Sequence, residues 1–121
     1  MLNLDTHILL FALTGKLKKK EATLLEKHQW SISSIVLWEI FKLAQLKKIE
    51  LDLHDIEVVR ILSKIHQWPL DLRVCQAIEK LDFKGDPADE IIAATSLVHN
   101  VSLLTRDHQI LKSKVVPLAD E

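Results

Sequence analysis

The sequence predicts an α/β fold, a three-layer sandwich with a short, mostly parallel central sheet, formed by one domain over residues 1–121. Three observations favour this class. Short apolar runs alternate with longer stretches of helical periodicity, which is typical of parallel strands connected by helices. The length of 121 residues suits a single hydrophobic core. The content of 48% hydrophobic and 27% charged residues is that of a globular protein, and no repeat or linker interrupts the chain.

The first elements can be placed from short apolar runs and the helical stretches between them. Leu2–Leu4 is predicted to be the first strand, and a helix is expected to begin near Thr6. A second helix is predicted over residues 20–28, and Trp30–Ser33 is predicted to be the second strand.

A longer helix is predicted over residues 35–46, with Ser34 as its N-cap, because a serine side chain there can accept a hydrogen bond from the first helical turn. We expect its apolar residues to lie on one broad face of the helix. These residues are Ile35, Leu37, Trp38, Phe41, Leu43, Ala44 and Leu46.

The second half of the chain continues the alternation. Pro69 favours a sheet edge or a strand end for the third strand, and Asp86 before Pro87 is typical of a helix start. The predicted helices lie over residues 55–66, 73–81 and 87–98, and the predicted strands over 68–70, 101–104 and 115–116. The helix over 55–66 has an apolar stripe formed by Ile56, Val59, Ile61, Leu62 and Ile65.

Acidic residues follow the ends of the predicted strands. Asp5 directly follows the first strand, Glu39 lies one turn into the helix after the second, and Asp107 comes shortly after the strand over 101–104. Asp86 and Asp89 stand about one turn apart at a helix start and so face the same side. Because ligands of open parallel sheets bind outside the carboxyl ends of the strands, we expect these acids to meet at one edge of the sheet.

A cluster of carboxylates requires a compensating charge. Carboxylates that lie close together repel one another and raise each other's pKa values. Hard divalent cations with oxygen ligands supply the missing positive charge, which favours Mg²⁺ or Mn²⁺ as the cofactor. Such an ion can lower the pKa of a bound water and polarise a phosphodiester. The acids therefore indicate a metal-dependent nuclease.

Each acid taken alone also fits an ordinary structural role. Asp86 and Asp107 suit helix caps, and Asp89 suits the positive end of a helix dipole. Glu39 suits a solvated helix surface and Asp5 a turn, so the nuclease hypothesis depends on the acids jointly.

Charge and composition limit the location and the partners. The net charge of −1 does not by itself indicate a nucleic-acid-binding protein, although Lys16, Lys18, Lys19, Lys20, Lys42, Lys47 and Lys48 could form a local basic rim. No apolar run approaches the length that crosses a membrane, and the start of the chain lacks the pattern of a signal peptide. The single cysteine, Cys75, cannot form an internal disulfide and is predicted to be a small buried hydrophobe. We expect a cytoplasmic protein without a membrane partner.

Four segments make the chain similar to the PIN-domain nucleases and, among them, to the VapC toxins of bacterial toxin–antitoxin pairs. They span residues 2–111, and their order and spacing carry the resemblance. The segments are LNLDTHILLFAL, SISSIVLWEIFKLAQLKKIEL, DPADEIIAATS and VSLLTRDHQIL.

The resemblance implies a single PIN-like nuclease domain with Mg²⁺ or Mn²⁺ as cofactor, RNA as substrate, a homodimer and a cognate antitoxin protein as partner. The catalytic and metal-binding acids would be Asp5, Glu39, Asp89 and Asp107, with Thr6, Ser34, Asp86 and Thr105 as supporting residues. Two positions depart from the family pattern: Lys84 stands where many relatives have histidine, and Glu90 where many have arginine. We expect these departures to alter contacts with substrate or antitoxin rather than to remove a metal ligand.

Two other functions are compatible with the same layout. In a catalytically silent binding module, the acids would bind metal only for stability and the apolar helices would dock a partner protein. A phosphoacceptor signalling domain would need an acceptor aspartate after the third strand and a lysine after a late strand, which Asp71 and Lys112 fit poorly. His7 is expected to have no chemical role, and Trp30, Trp38 and Trp68 are expected to pack in the core or an interface rather than to stack on bases.

Overall fold

The computed structural model describes residues 1–119, in which helices and short strands alternate along the chain. The elements are, in order, β1 (Leu2–Leu4), α1 (Thr6–Thr14), α2 (Lys19–Lys27), β2 (Trp30–Ser33), α3 (Ser34–Gln45), α4 (Ile56–Lys64), β3 (His66–Trp68), α5 (Leu72–Ala77), a 3₁₀ helix (Ile78–Lys80), α6 (Pro87–His99), β4 (Ser102–Leu104) and α7 (His108–Leu111). Within these residues no helix combines the length and the apolar character needed to cross a membrane.

The four strands form one sheet in the order β3-β2-β1-β4, and all three pairings are parallel. In this register Leu4 lies opposite Leu104, and Ser33 lies opposite Trp68. The strands therefore end at about the same level, and the residues that follow them meet at one edge of the sheet. The predicted α/β class is confirmed, and β1 is an inner strand of the sheet.

The central strand β1 is covered on both faces. Leu2 and Leu4 belong to the main hydrophobic core and are at most 4% exposed. Asn3 points to the opposite face, where its Nδ2 donates to Ser96 Oγ at 2.9 Å and to the Ile92 carbonyl at 3.3 Å. Since successive side chains of a strand alternate between the two faces, helix α6 covers one face of β1 and the leucine core covers the other.

Several predicted boundaries shift by one or two residues. Ser33, not Ser34, caps α3, because its Oγ accepts from the backbone N–H of Ile35. The third strand lies over His66–Trp68 and stops before Pro69, which confirms the expected edge position and strand end. The helix predicted over residues 73–81 divides into α5 and the 3₁₀ helix.

The strand predicted over residues 115–116 is wrong. The backbone N–H groups of Val115 and Val116 both donate to Ser113 Oγ, so they form a turn rather than a sheet ladder. The chain meets the sheet two residues later, through a single parallel bridge between Leu118 and Leu103.

Part of the apolar face predicted for α3 lies at the surface. The fully buried residues of the helix are Val36 and Ile40, whereas Trp38 is 60% exposed and Phe41 44% exposed. The stripe predicted for α4 likewise buries Leu62 and Ile65, and leaves its other apolar members at the surface: Ile56, Val59 and Ile61.

The other two tryptophans pack against neighbouring protein groups. Trp30 donates from Nε1 to the Leu25 carbonyl, and Trp68 stacks on His99 with ring centroids 4.1 Å apart. Cys75, predicted to be buried, is exposed.

Candidate active site

An acidic cavity of about 430 Å³ opens where strands β1 and β4 end. It gathers residues from the start of α1, the middle of α3, the start of α6 and the loop before α7. Its lining residues are Asp5, His7, Phe11, Glu39, Asp86, Asp89, Arg106 and Asp107. All five acids that the sequence singles out therefore line one cavity. A larger cavity of about 600 Å³ shares His7 and Phe11 with it, but Glu50 is the one carboxylate among its lining residues.

Asp5 is held at the floor of the acidic cavity by two hydrogen bonds. The backbone N–H of Thr6 donates to Oδ1 at 2.8 Å, and the Thr105 hydroxyl donates to Oδ2 at 2.6 Å. The parallel register of β1 and β4 places these residues beside each other, since Leu4 pairs with Leu104. Asp5 is only 4% exposed, so its carboxylate has a fixed orientation.

Thr6 links Asp5 to the second acid. Its backbone N–H binds Asp5, and its hydroxyl donates to Glu39 Oε1 on α3. One threonine at the start of α1 thereby holds two carboxylates of the cavity, each with an oxygen fixed by a donor. The supporting role that the resemblance implies for Thr6 stays a prediction.

Asp107 lines the cavity and is also the N-cap of helix α7. Its Oδ1 accepts from the backbone N–H groups of Gln109 and Ile110, at 2.9 and 3.0 Å, and so caps α7. Its own backbone N–H donates to Thr105 Oγ1 at 3.0 Å. Because the Thr105 hydroxyl also donates to Asp5, Thr105 links the Asp5 carboxylate to the backbone of Asp107.

The start of α6 contributes the remaining two acids. Asp86 occupies the N-cap position before Pro87, but its side chain makes no capping hydrogen bond. The pKa of Asp89 is raised to about 6, first by partial burial and then by the negative charges of Asp5, Asp107, Glu39 and Asp86, in that order. The carboxylates are therefore close enough to disfavour one another's charged forms.

The chemistry of this donor set fits a hard divalent cation, since it consists of carboxylate oxygens with excess negative charge. Over residues 1–119, however, no three histidine, cysteine, aspartate or glutamate side chains are grouped so that they could already hold a metal ion. The carboxylates share one cavity, and several of their oxygens are occupied by hydrogen bonds from Thr6, Thr105 and the first turn of α7.

Ser34 lies apart from the acids. Its hydroxyl donates to the Trp68 carbonyl at 2.8 Å and so ties α3 to strand β3. It is not among the residues that line the acidic cavity.

Lys84 and Glu90, the two departures from the family pattern, each take part in a hydrogen bond that involves a backbone group. The Glu90 carboxylate accepts from the backbone N–H of Gly85 at 3.3 Å, and the Lys84 carbonyl accepts from Gln109 Nε2 at 2.7 Å. Neither residue is among those that line the acidic cavity.

Three lining residues were not expected in the site, namely His7, Phe11 and Arg106. His7 and Phe11 follow Asp5 by two and six residues on α1. The position of Arg106 between Thr105 and Asp107 was visible in the sequence, but its partner Glu21 lies 85 residues away and nothing in the sequence connects the two.

Comparison with known families identifies one match that covers most of the chain. The family model described as the PIN domain matches residues 3–115. In a comparison with curated protein sequences, no significant match is found.

Solved structures share this fold over nearly the full length. The VapBC2 complex of Rickettsia felis, bound to a DNA fragment from its promoter, matches with a TM-score of 0.74 at 20% identity, over 100% of this chain and 99% of the other. FitAcB of Neisseria gonorrhoeae matches with a TM-score of 0.71 at 19% identity, over 99% and 97% of the two chains. A toxin-antitoxin complex of Klebsiella pneumoniae matches with a TM-score of 0.67 at 23% identity, over 93% and 91%.

Proposed function

The chain belongs to the PIN domain family, and from that premise we propose that it is a Mg²⁺- or Mn²⁺-dependent endoribonuclease and the toxin of a toxin–antitoxin pair. Residues 1–121 would act as one nuclease domain that hydrolyses RNA phosphodiesters. The observation that carries the proposal is the convergence of five carboxylates on one cavity at the carboxyl ends of β1 and β4.

The acids in this cavity would hold the metal. Asp5, Glu39, Asp89 and Asp107 supply oxygen ligands. Thr6 and Thr105 fix the orientation of the Asp5 and Glu39 carboxylates, and the first turn of α7 fixes that of Asp107. When bound, a divalent ion offsets the mutual repulsion of the acids, polarises the phosphodiester and lowers the pKa of a bound water. Asp86 stands one turn before Asp89 and adds negative charge at the mouth of the cavity.

An antitoxin and a homodimer are the proposed protein partners. The neighbouring structures are complexes described as VapBC2 and as a toxin-antitoxin complex, which supports an antitoxin partner. Large exposed apolar side chains on α3 and α4 support protein-binding surfaces on these helices, because contact with a partner would remove them from water. These residues are Trp38, Phe41, Ile56, Val59 and Ile61.

Cleavage of a labelled single-stranded RNA in Mg²⁺ buffer tests the nuclease. We expect internal cuts by the wild type, loss of cleavage in excess EDTA, and a rate at least about hundredfold lower for Asp5→Ala, since a buried metal ligand is removed. Glu79→Gln is the matched control, because Glu79 is exposed on the 3₁₀ helix away from the cavity. Equal rates for Asp5→Ala and the wild type would refute the proposal.

Induced expression in a bacterium tests the toxin function separately. Wild-type protein produced without its partner should arrest growth, and Asp89→Asn should relieve the arrest at equal protein levels. Unimpaired growth with the wild-type protein would remove the toxin assignment while leaving the nuclease assignment standing.

A further inference from the structure

Arg106 is fixed rigidly at the rim of the acidic cavity. Its Nε and Nη2 donate to Oε2 and Oε1 of Glu21 at 2.7 and 2.6 Å, and Nη2 also donates to the Lys16 carbonyl at 3.3 Å. The guanidinium lies over the Phe11 ring, 4.0 Å from its centroid. A two-point ion pair and an aromatic face together leave this side chain little freedom.

The contacts of Arg106 leave part of its guanidinium available. Glu21 is nearly buried and its Oε1 also accepts from the backbone N–H of Lys18 at 2.8 Å, whereas the Arg106 side chain remains 29% exposed. Among the described residues, no hydrogen-bond partner contacts Nη1. The pKa of Glu21 is lowered chiefly by its hydrogen bond with Arg106, so the pair stays ionised at neutral pH.

The cavity beside Arg106 is strongly negative, so a substrate phosphate that binds there requires a positively charged group. Five carboxylates line the cavity, and a nucleic-acid phosphate that approaches them is repelled. Arg106 is the one arginine or lysine among the described residues that line it. Its Nη1 carries N–H donors that neither Glu21 nor Lys16 uses, and these can bind a phosphate oxygen.

We propose that Arg106 is a phosphate-binding residue, whose Nη1 edge binds a non-bridging oxygen of a substrate phosphate at the rim of the acidic cavity, while Glu21 and Phe11 hold the guanidinium in place. The inference rests on the proposed function, because it requires a nucleic-acid substrate. Glu21 is a positioning residue, since it acts on the substrate only through Arg106.

Salt-dependent RNA binding tests the phosphate contact directly. Anisotropy of a labelled single-stranded RNA would be measured at several salt concentrations in Mg²⁺, with an Asp89→Asn background that prevents cleavage. Adding Arg106→Gln should raise Kd about tenfold and lower the slope of log affinity against log salt by about 0.7, as expected for one lost phosphate contact. Arg60→Gln is the matched control, because Arg60 also pairs with a glutamate, Glu57, but on the surface of α4. It should leave Kd and slope unchanged.

A second pair of variants separates the phosphate contact from a structural role. Arg106→Gln leaves the buried Glu21 carboxylate unpaired, so the double variant Arg106→Gln/Glu21→Gln keeps the site neutral and preserves folding. Arg106→Lys should keep the salt slope but bind more weakly than the wild type, because a single ammonium group cannot pair with Glu21 through two nitrogens and keep a third for the phosphate. If the folded double variant binds RNA with the same Kd and salt slope as the background, Arg106 has only a structural role and the inference is overturned.

The inference and the proposed function fail in distinguishable ways. If the wild type cleaves RNA and the double variant cleaves with an unchanged KM, the phosphate contact alone is wrong. If the wild type neither binds nor cleaves RNA, the proposed function fails and the phosphate contact fails with it.

Discussion

The pKa of Asp89 shows how the acids of the cavity affect one another. Its pKa is raised to about 6 by partial burial and by four neighbouring carboxylates. In an unfolded chain the carboxylate is solvated and Asp5, Glu39 and Asp107 are distant, so the pKa returns to about 3.8. The folded state therefore disfavours the ionised form of Asp89, and the resulting loss of stability develops as pH rises from about 4 to 6 and is fully present above 6.

Asp89→Asn should stabilise the metal-free protein. Asparagine has the same shape without the charge, so we expect unfolding free energy in EDTA at pH 8 to rise by about 1 kcal/mol, a discounted value because the half-exposed carboxylate is screened by solvent. At pH 4 the difference should largely disappear. Thermal unfolding at both pH values measures it, and a variant that is less stable than the wild type at pH 8 would contradict the repulsion between the acids.

The individual acids of the site could be chosen from the sequence, but their contacts could not. Asp5, Glu39, Asp89 and Asp107 follow strand ends or helix starts, so topology alone places them at one edge. The ion pair between Glu21 and Arg106 joins residues 85 positions apart, and no local sequence pattern predicts it. Ser34 matches the family pattern, yet its hydroxyl binds the Trp68 carbonyl, because Ser33 already provides the cap of α3.

Helix α7 shows how one aspartate can serve both an element and the site. Asp107 caps the helix through two backbone N–H groups and also lines the acidic cavity. These two contributions depend on different properties of the side chain, since capping requires an oxygen acceptor whereas metal binding requires charge.

Substitutions at Asp107 should therefore separate stability from activity. Asp107→Asn retains a capping oxygen and should unfold within about 0.5 kcal/mol of the wild type, whereas Asp107→Ala should lose about 1 kcal/mol. Both should reduce RNA cleavage strongly. Chemical denaturation and cleavage assays on the same preparations measure the two effects, and full activity in Asp107→Asn would exclude this residue from the metal site.

Periodicity and capping residues predict where the helices and strands lie, but they do not predict which side of a helix is buried. All four strands of the sheet were placed within two residues, because apolar runs and turn residues mark them locally. Helix α3 is apolar around much of its circumference, so its sequence does not say which side the core covers. Trp38, for which packing in the core or in an interface is predicted, is exposed, whereas Val36 is fully buried. The valine pair at 115–116 favoured a strand, but Ser113 Oγ takes both backbone donors.

The assembled fold depends on a polar contact between its central strand and the helix that carries Asp89. Asn3 is fully buried beneath α6 and its Nδ2 binds Ser96 Oγ and the Ile92 carbonyl. Asp5 lies two residues after Asn3, so this contact fixes β1 against α6 next to the acidic cavity. A hydrophobic side chain at position 3 would pack there without setting this register.

Asn3→Ala should weaken both the fold and the site. Loss of the hydrogen bonds leaves Ser96 Oγ unpaired in the interior, so we expect unfolding free energy to fall by about 2 kcal/mol. Asn100→Gly is the control, because Asn100 ends α6 at φ 52, where glycine is tolerated, and should change stability by less than about 0.5 kcal/mol. Equal unfolding midpoints for the two variants would show that Asn3 does not hold the layers together.

The central claim is that acids from separate parts of the chain meet closely enough to bind a divalent ion. Calorimetric titration of the purified protein with Mg²⁺, and with Mn²⁺ in parallel, tests it most directly. We expect saturable binding by the wild type and by the Glu79→Gln control, and affinity at least about tenfold lower for Asp5→Asn and for Asp89→Asn. Binding of equal strength in all four proteins would show that the acidic cavity is not where the metal binds.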